Sequence, residues 1–174
     1  GAIWSAVRKA DLLISGGGSL LQNVTSGRSL YYYLSVILLA RLAGTPVMLY
    51  AQGIGPVCGG FARWLMTAIS RRVARITVRD YGSLEELQSL NITQPPSEVT
   101  ADPVLAIHPV DRGIGRAILT KYKAAGAKPV VGISVREWRG WSGYKKAIAA
   151  AAGEIAREFE ARVIFLPMQY PEDV

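Results

Sequence analysis

Five short segments carry side chains able to do chemistry: Ser15-Gly-Gly-Gly-Ser19, Gln52-Gly-Ile-Gly-Pro56, Arg79-Asp80, Arg136-Glu137-Trp138 and Pro167-Met-Gln169. In the first two, the missing side chains let backbone N–H groups come close to an anion or a sugar. Gly16, Gly17, Gly18, Ser19, Gln52 and Gly53 are therefore candidate substrate contacts. Neither segment is a nucleotide fingerprint: Gly16-Gly-Gly-Ser-Leu lacks the lysine of a P-loop, and the spacing does not fit G-x-G-x-x-G. A glycine-rich turn also serves simply to reverse the chain tightly, and these residues alone leave both readings open. Arg79 and Arg136 are candidate anion ligands, because a guanidinium grips carboxylate or phosphate through two parallel hydrogen bonds. Arg79 beside Asp80 equally suits a locked turn. Gln169 is the polar residue of the fifth segment.

His108 is the single histidine and the obvious candidate for a general acid. It precedes Pro109, away from all five segments, and reads as an exposed, dispensable residue. Asp102, before Pro103, suits a turn better than a cleft carboxylate. Trp138 and Trp141 flank Arg136 and fit either stacking on a sugar ring or core packing. Arg71, Arg72 and Arg75 close a helix, where positive charge offsets the dipole and solvates an outer face. No residue stands out as the catalytic acid or base.

The elements that must position these segments alternate between strand and helix, the pattern of a parallel α/β sheet. Strands are expected at Asp11–Ser15, Pro46–Ala51, Arg75–Arg79, Val130–Val135 and Arg162–Leu166. Helices are expected at Ser29–Ala43, about Phe61–Val73, from Ser83 onward, and Tyr144–Glu160. Gly44 and Pro46 stop the first helix. Phe61, Trp64, Leu65, Ala68 and Ile69 form the apolar face of the second, and Ser83 with Glu86 reads as a capping box opening the third. Tyr144, Ile148, Ala151, Ile155 and Phe159 form the buried stripe of the fourth. Tyr31, Tyr32 and Tyr33 point around their helix and read as packing. Val99–Ile107 reads as extended. His108–Lys128 is richer in Gly, Lys and Arg, holds at most one short helix, and reads as a connector. Residues 1–107 are then the C-terminal part of a first α/β lobe, 108–128 the connector, and 129–174 the start of a second lobe that is incomplete in this chain.

Half of the 174 residues are apolar and 19% are charged, a globular composition with no low-complexity tract or repeat. The start resembles no secretory signal, and the most apolar stretch, Leu30–Ala43, is shorter than the roughly 20 residues a membrane span needs. The single cysteine, Cys58, excludes an internal disulfide and a cysteine-built metal site and fits a reducing cytoplasm. A net charge of +7 favours anionic partners: nucleic acid, a membrane surface or phosphorylated small molecules. Nucleic acid is disfavoured, since there is no aromatic–basic interleaving and no recognition-helix motif.

Six stretches, in order and covering nearly the whole chain, resemble the polysaccharide pyruvyl transferase family. They are Asp11–Gln22, Ala51–Pro56, Ile76–Asp80, Ala101–Val104, Gly132–Arg136 and Phe165–Gln169. The branch most similar is the bacterial one acting on secondary cell-wall polysaccharide, through which surface-layer proteins are anchored. The resemblance implies a two-lobed fold like that of the GT-B glycosyltransferases. It also implies transfer of the enolpyruvyl carbons of phosphoenolpyruvate onto two hydroxyls of an N-acetylmannosamine-type sugar, giving a cyclic ketal. Phosphoenolpyruvate is then the donor substrate, with no cofactor, and no residue is assigned as a metal ligand. The acceptor is a lipid-linked or polymeric sugar, and the setting is the cytoplasm at the inner face of the membrane, with peripheral membrane contact. Arg136 matches the family's Gly-Ile-Ser-Val-Arg motif and takes an anion-binding role from it. The family's Arg/His-containing C-terminal motif and its Asn/Gly/Asp-containing N-terminal loop have no counterpart here, so the chain is expected to be a fragment, inactive alone. Two other readings stand beside this one: a GT-B glycosyltransferase using a nucleotide sugar, and a non-catalytic anion-binding module.

Overall fold

The computed structural model describes residues 1–126, 128–136 and 143–167. Trp138, Trp141 and Gln169 lie outside the described residues. The chain divides into two compact units, Gly1–Ile107 and His108–Val174. The fold is α/β with parallel sheets, four strands in the first unit and two in the second.

The first unit runs α1 (Ala2–Lys9), β1 (Leu13–Gly16), α2 (Gly27–Leu42), β2 (Val47–Gln52), α3 (Gly60–Ser70), β3 (Arg75–Val78), α4 (Tyr81–Ser89) and β4 (Ser97–Val99). Its strands lie in chain order, β1-β2-β3-β4, all parallel. Each crossover steps the same way, so the right-handed rule puts α2, α3 and α4 on one face of the sheet. Leu30, Leu34 and Ile37 of α2 pack there against Val47 and Leu49 of β2, Met66 and Ile69 of α3, Ile76 and Val78 of β3, and Leu87 of α4. Each large side chain so buried contributes about 1.5–3 kcal/mol. Alternation along the strands sends Ile14, Met48 and Tyr50 to the other face, where Ile14 and Tyr50 are exposed.

Helix α2 ends as its sequence requires. Gly44 takes φ +81°, and the N–H groups of Gly44 and Thr45 donate to the carbonyls of Arg41 and Ala40. Several side-chain expectations need correction. Phe61 and Trp64 are exposed, because Ala62, Met66, Ile69 and Ser70 are the face α3 turns inward. Tyr31 and Tyr32 are exposed as well. Ser83 and Glu86 are not a capping box: Asp80 caps α4 by accepting from the N–H of Ser83 at 2.7 Å. The stretch expected to be extended from Val99 instead ends β4 there and continues into a 3-10 turn, Pro103–Ala106, capped by Asp102.

The second unit contains α5 (Arg112–Lys121), β5 (Val130–Val135), α6 (Tyr144–Glu158) and β6 (Arg162–Pro167). Strands β5 and β6 pair parallel in register from Val130↔Arg162 to Val135↔Pro167. The stretch read as a connector thus contains α5 and groups with this unit. The stripe expected to be buried on α6 is only half-buried at Tyr144, Ile148 and Ile155, while Ala151 and Phe159 are exposed and Ala152 is buried. A helix lying on two strands has little area to cover it.

Candidate functional site

In an open parallel sheet, ligands bind beyond the carboxyl ends of the strands. In the first unit those ends are joined by backbone bonds. The Gly53 N–H donates to the Gly18 carbonyl at 2.9 Å, and Leu21 and Ile54 form an isolated parallel bridge. The amide of Asn23 bonds the Cys58 backbone in both directions, donating to its carbonyl at 2.7 Å and accepting from its N–H at 2.8 Å. The two glycine segments therefore form one double loop.

Two glycines in it are there for space. A Cβ at Gly16 would lie 1.9 Å from the Tyr50 carbonyl oxygen, so the close approach of β1 and β2 requires glycine. A Cβ at Gly53 would lie 2.6 Å from Ser19 Oγ and 2.8 Å from Arg79 Nε, so the Arg79 guanidinium rests directly against the Gly53 backbone. Between them a β-bulge interrupts the pairing of β2 with β3. Tyr50 and Ala51 stand opposite Thr77, Ala51 takes φ +43°, and its N–H donates to Thr77 Oγ1 at 2.7 Å. A non-glycine residue in this region costs of order 1–3 kcal/mol, which the surrounding core must offset. The kink delivers Gln52 to a fully buried position, where its Nε2 donates to the Gly18 carbonyl at 3.3 Å. Its Oε1 has no hydrogen-bond partner among the described residues.

Arg79 is the centre of the site. Its Nη2 donates to Ser19 Oγ at 2.7 Å and its Nη1 to Asp102 Oδ2 at 2.9 Å, and its Nε lies 3.5 Å from Asp80 Oδ2. One guanidinium thus ties together the loops after β1, β3 and β4. A guanidinium carries five N–H groups, so donors remain on a side chain that is 30% exposed. Ser83 bonding to Asp80, first through its side chain and then through its N–H, holds the Asp80 carboxyl below its ordinary value of 3.8; the Arg79 charge adds to this. Ser83 Oγ in turn accepts from the Ile54 N–H at 2.9 Å, and Glu86 Oε1 from the Val57 N–H at 2.9 Å. These two α4 side chains hold the rim of the second glycine loop. Together the groups enclose a cleft of about 340 Å³ that includes Ser19, Gly53, Gly55, Arg79, Asp80 and Glu86, a size that suits a small ligand. Its one guanidinium is matched by Asp80 and Asp102, and with Glu86 the cleft offers carboxylates for the hydroxyls of a sugar.

A comparison with protein families matches residues 2–174 to that of the polysaccharide pyruvyl transferases. The chain belongs to the polysaccharide pyruvyl transferase family. Membership implies a transferase with a pyruvyl donor and a polysaccharide acceptor. No curated protein and no solved structure matches the chain.

In this family member Ser19, Gly53 and Arg79 line the cleft, Gly18 bonds to Gly53 and to Gln52, and Gly16 is packed against the Tyr50 backbone. Arg136 lies in the second unit, exposed at the end of β5, where its carbonyl accepts from Tyr144 Oη at 3.2 Å. His108 is exposed. Sequence reasoning undervalued Asp102, which both caps its turn and pairs with Arg79. A legible signal existed: Asp102 follows β4 as Arg79 follows β3, and adjacent parallel strands bring such positions together. No signal marked Ser83 and Glu86, since the spacing of a capping box is the same whichever backbone the side chains reach.

Proposed function

We propose that the protein takes part in transferring the enolpyruvyl group of phosphoenolpyruvate onto two hydroxyls of an N-acetylmannosamine-type sugar in a cell-wall polysaccharide precursor. The observation that carries this is the family match across residues 2–174. In the reaction the methylene carbon gains a proton, positive charge develops at the adjacent carbon, and two hydroxyl oxygens bond to that carbon as its bond to the phosphate oxygen breaks. Of the two hydroxyl protons released, one balances the proton taken by the methylene carbon and the other leaves with phosphate. A guanidinium on the donor's phosphate stabilises the negative charge that builds there as the carbon–oxygen bond breaks, and one on its carboxylate fixes the donor in place. Arg136 is the residue assigned to that anion, on its strand-end position and its motif. Gly16, Gly17, Gly18, Ser19, Gln52, Gly53, Arg79 and Gln169 are assigned to the substrates. Asp80 and Asp102, held by Arg79, are suited to accept from sugar hydroxyls. The reading includes the two-lobed GT-B-like class, the surface-layer-anchoring branch, and a lipid-linked acceptor at the cytoplasmic membrane face.

The test compares phosphoenolpyruvate with a panel of nucleotide sugars by thermal shift on the chain and on Arg136→Ala and Arg136→Lys. A saturating ligand at about 100 times its Kd adds about 2.7 kcal/mol of stability. Phosphoenolpyruvate should raise Tm and nucleotide sugars should not. Losing a desolvated charge contact costs about 2–5 kcal/mol, so Arg136→Ala should weaken donor binding about 30-fold or more. Arg136→Lys should recover part, because an ammonium keeps the charge but not the fork. Stabilisation by a nucleotide sugar alone would replace this reading with glycosyl transfer. Unchanged donor binding in folded Arg136→Ala would remove Arg136 from the anion site.

A further inference from the structure

The helical face of the first unit carries a cluster of aromatic residues that its core does not use. Phe61 and Trp64, one turn apart on α3, stack with ring centroids 5.9 Å apart, and Tyr31 of α2 lies 6.2 Å from Phe61. Phe61 is 65% exposed and Trp64 63%. Leu38 and Leu42 follow Tyr31 at spacings of seven and four, on the same side of α2, and Leu42 is 68% exposed. Helix α1, which packs on α2, adds the exposed Trp4. A soluble surface rarely leaves so many large apolar groups together without something to cover them.

The charge on this face identifies the cover. Helices α1, α2 and α3 contain no Asp or Glu, whereas they and the turn after α3 hold Arg8, Lys9, Arg28, Arg41, Arg63, Arg71 and Arg72. Arg63 and Arg71 bond within the unit, to Glu86 and Ser89 and to the Asn91 carbonyl. The side chains of Arg28, Arg41 and Arg72 are exposed and make no hydrogen bond or ion pair among the described residues. Aromatic side chains sit well at the headgroup level of a bilayer, and uncompensated arginines beside them attract anionic lipid. A protein partner of mixed charge would leave the absence of carboxylates from α1, α2 and α3 without a reason. No helix among the described residues is long and apolar enough to cross a membrane, so the contact is peripheral.

We propose that the α1–α2–α3 face docks on an anionic lipid bilayer, with Phe61 and Trp64 entering the interface and Arg28 and Arg72 meeting the headgroups. The proposal deepens the membrane-face part of the function above and rests on it only for the choice of bilayer. The assay contains neither donor nor acceptor, so its failure and a failure of pyruvyl transfer are read separately.

The experiment is flotation of the chain with phosphatidylcholine vesicles, with and without about 30% phosphatidylglycerol. Wild type should float with the anionic vesicles, not with the neutral ones, and less as salt rises, because screening shortens the reach of the charges. The double substitutions Phe61→Ser/Trp64→Ser and Arg28→Glu/Arg72→Glu should each lower partition at least about tenfold while Tm stays near wild type. Brominated lipid should quench wild-type emission more than that of Trp64→Phe, which keeps the test open should the serine variant fold poorly. No flotation of wild type at low salt would overturn the proposal, as would flotation unchanged in both doubles. A wild-type dimer in light scattering that the serine variant converts to monomer, without vesicle binding, would assign the face to a second copy of the chain instead.

Discussion

Adding one methyl group at Gly53 tests whether the Arg79 cluster is the organised centre of the first unit. In Gly53→Ala the new Cβ would lie 2.6 Å from Ser19 Oγ and 2.8 and 2.9 Å from Arg79 Nε and Cζ, where ordinary contact begins at 3.4 Å. The guanidinium must therefore retreat by about 0.5 Å, which stretches its bonds to Asp102 and Ser19, now 2.9 and 2.7 Å. Overpacking of this kind costs about 1–3 kcal/mol, at the lower end here because the obstacle is the end of a flexible, partly exposed side chain. The backbone at Gly53 has no positive φ, so alanine also stiffens the unfolded chain and returns about 0.4–1 kcal/mol. The net loss expected is about 0.5–2 kcal/mol, or a fall in Tm of a few degrees, which scanning fluorimetry resolves. In an Arg79→Ala background the methyl meets no guanidinium and its cost should shrink, giving a coupling of about 1 kcal/mol or more in a double-mutant cycle. Equal costs in both backgrounds would refute the reasoning, because Gly53 would then be small for a reason other than Arg79.

Gly16→Ala should behave differently, since its methyl would meet the Tyr50 backbone rather than a movable side chain. A loss of about 3 kcal/mol or more is expected, seen as low soluble yield or a much lower Tm, and near-wild-type melting would show that β1 and β2 can part. Asp80→Ala removes the α4 cap and should cost about 1 kcal/mol at pH 7. Because the folded carboxyl lies below its ordinary 3.8, that contribution is complete above 3.8 and lost as pH falls through the lower folded value. The melting difference between wild type and Asp80→Ala should therefore narrow at acid pH, and a constant difference down to pH of about 3 would contradict the cause given. His108→Ala should melt within about 0.5 kcal/mol of wild type, and in an active enzyme should keep turnover within about threefold; a hundredfold loss would make it catalytic.

The residues by themselves determined a good deal. Apolar runs such as Val130–Val135 and glycine-punctuated turns at Gly16–Gly18 and Gly53–Gly55 depend on local periodicity and backbone freedom, which sequence carries directly. The parallel α/β class, five of the six strand positions to within about two residues, and the family are therefore legible in it, whereas the short β4 is not. Tertiary structure decided what depends on which distant groups meet. Phe61 and Trp64 have the spacing of a core stripe, yet the smaller Ala62 and Met66 face inward, into the cluster that holds Leu49 and Ile76. Ser83 and Glu86 have the spacing of a cap, yet they serve the loop after β2. Arg79 reads from sequence as anion ligand or turn lock, and only the alignment of neighbouring strand ends shows it holding Ser19, Asp80 and Asp102 at once. Side-chain period is a property of one segment, whereas a hydrogen-bond partner 60 residues away, as Ser19 is from Arg79, is set by sheet order and register.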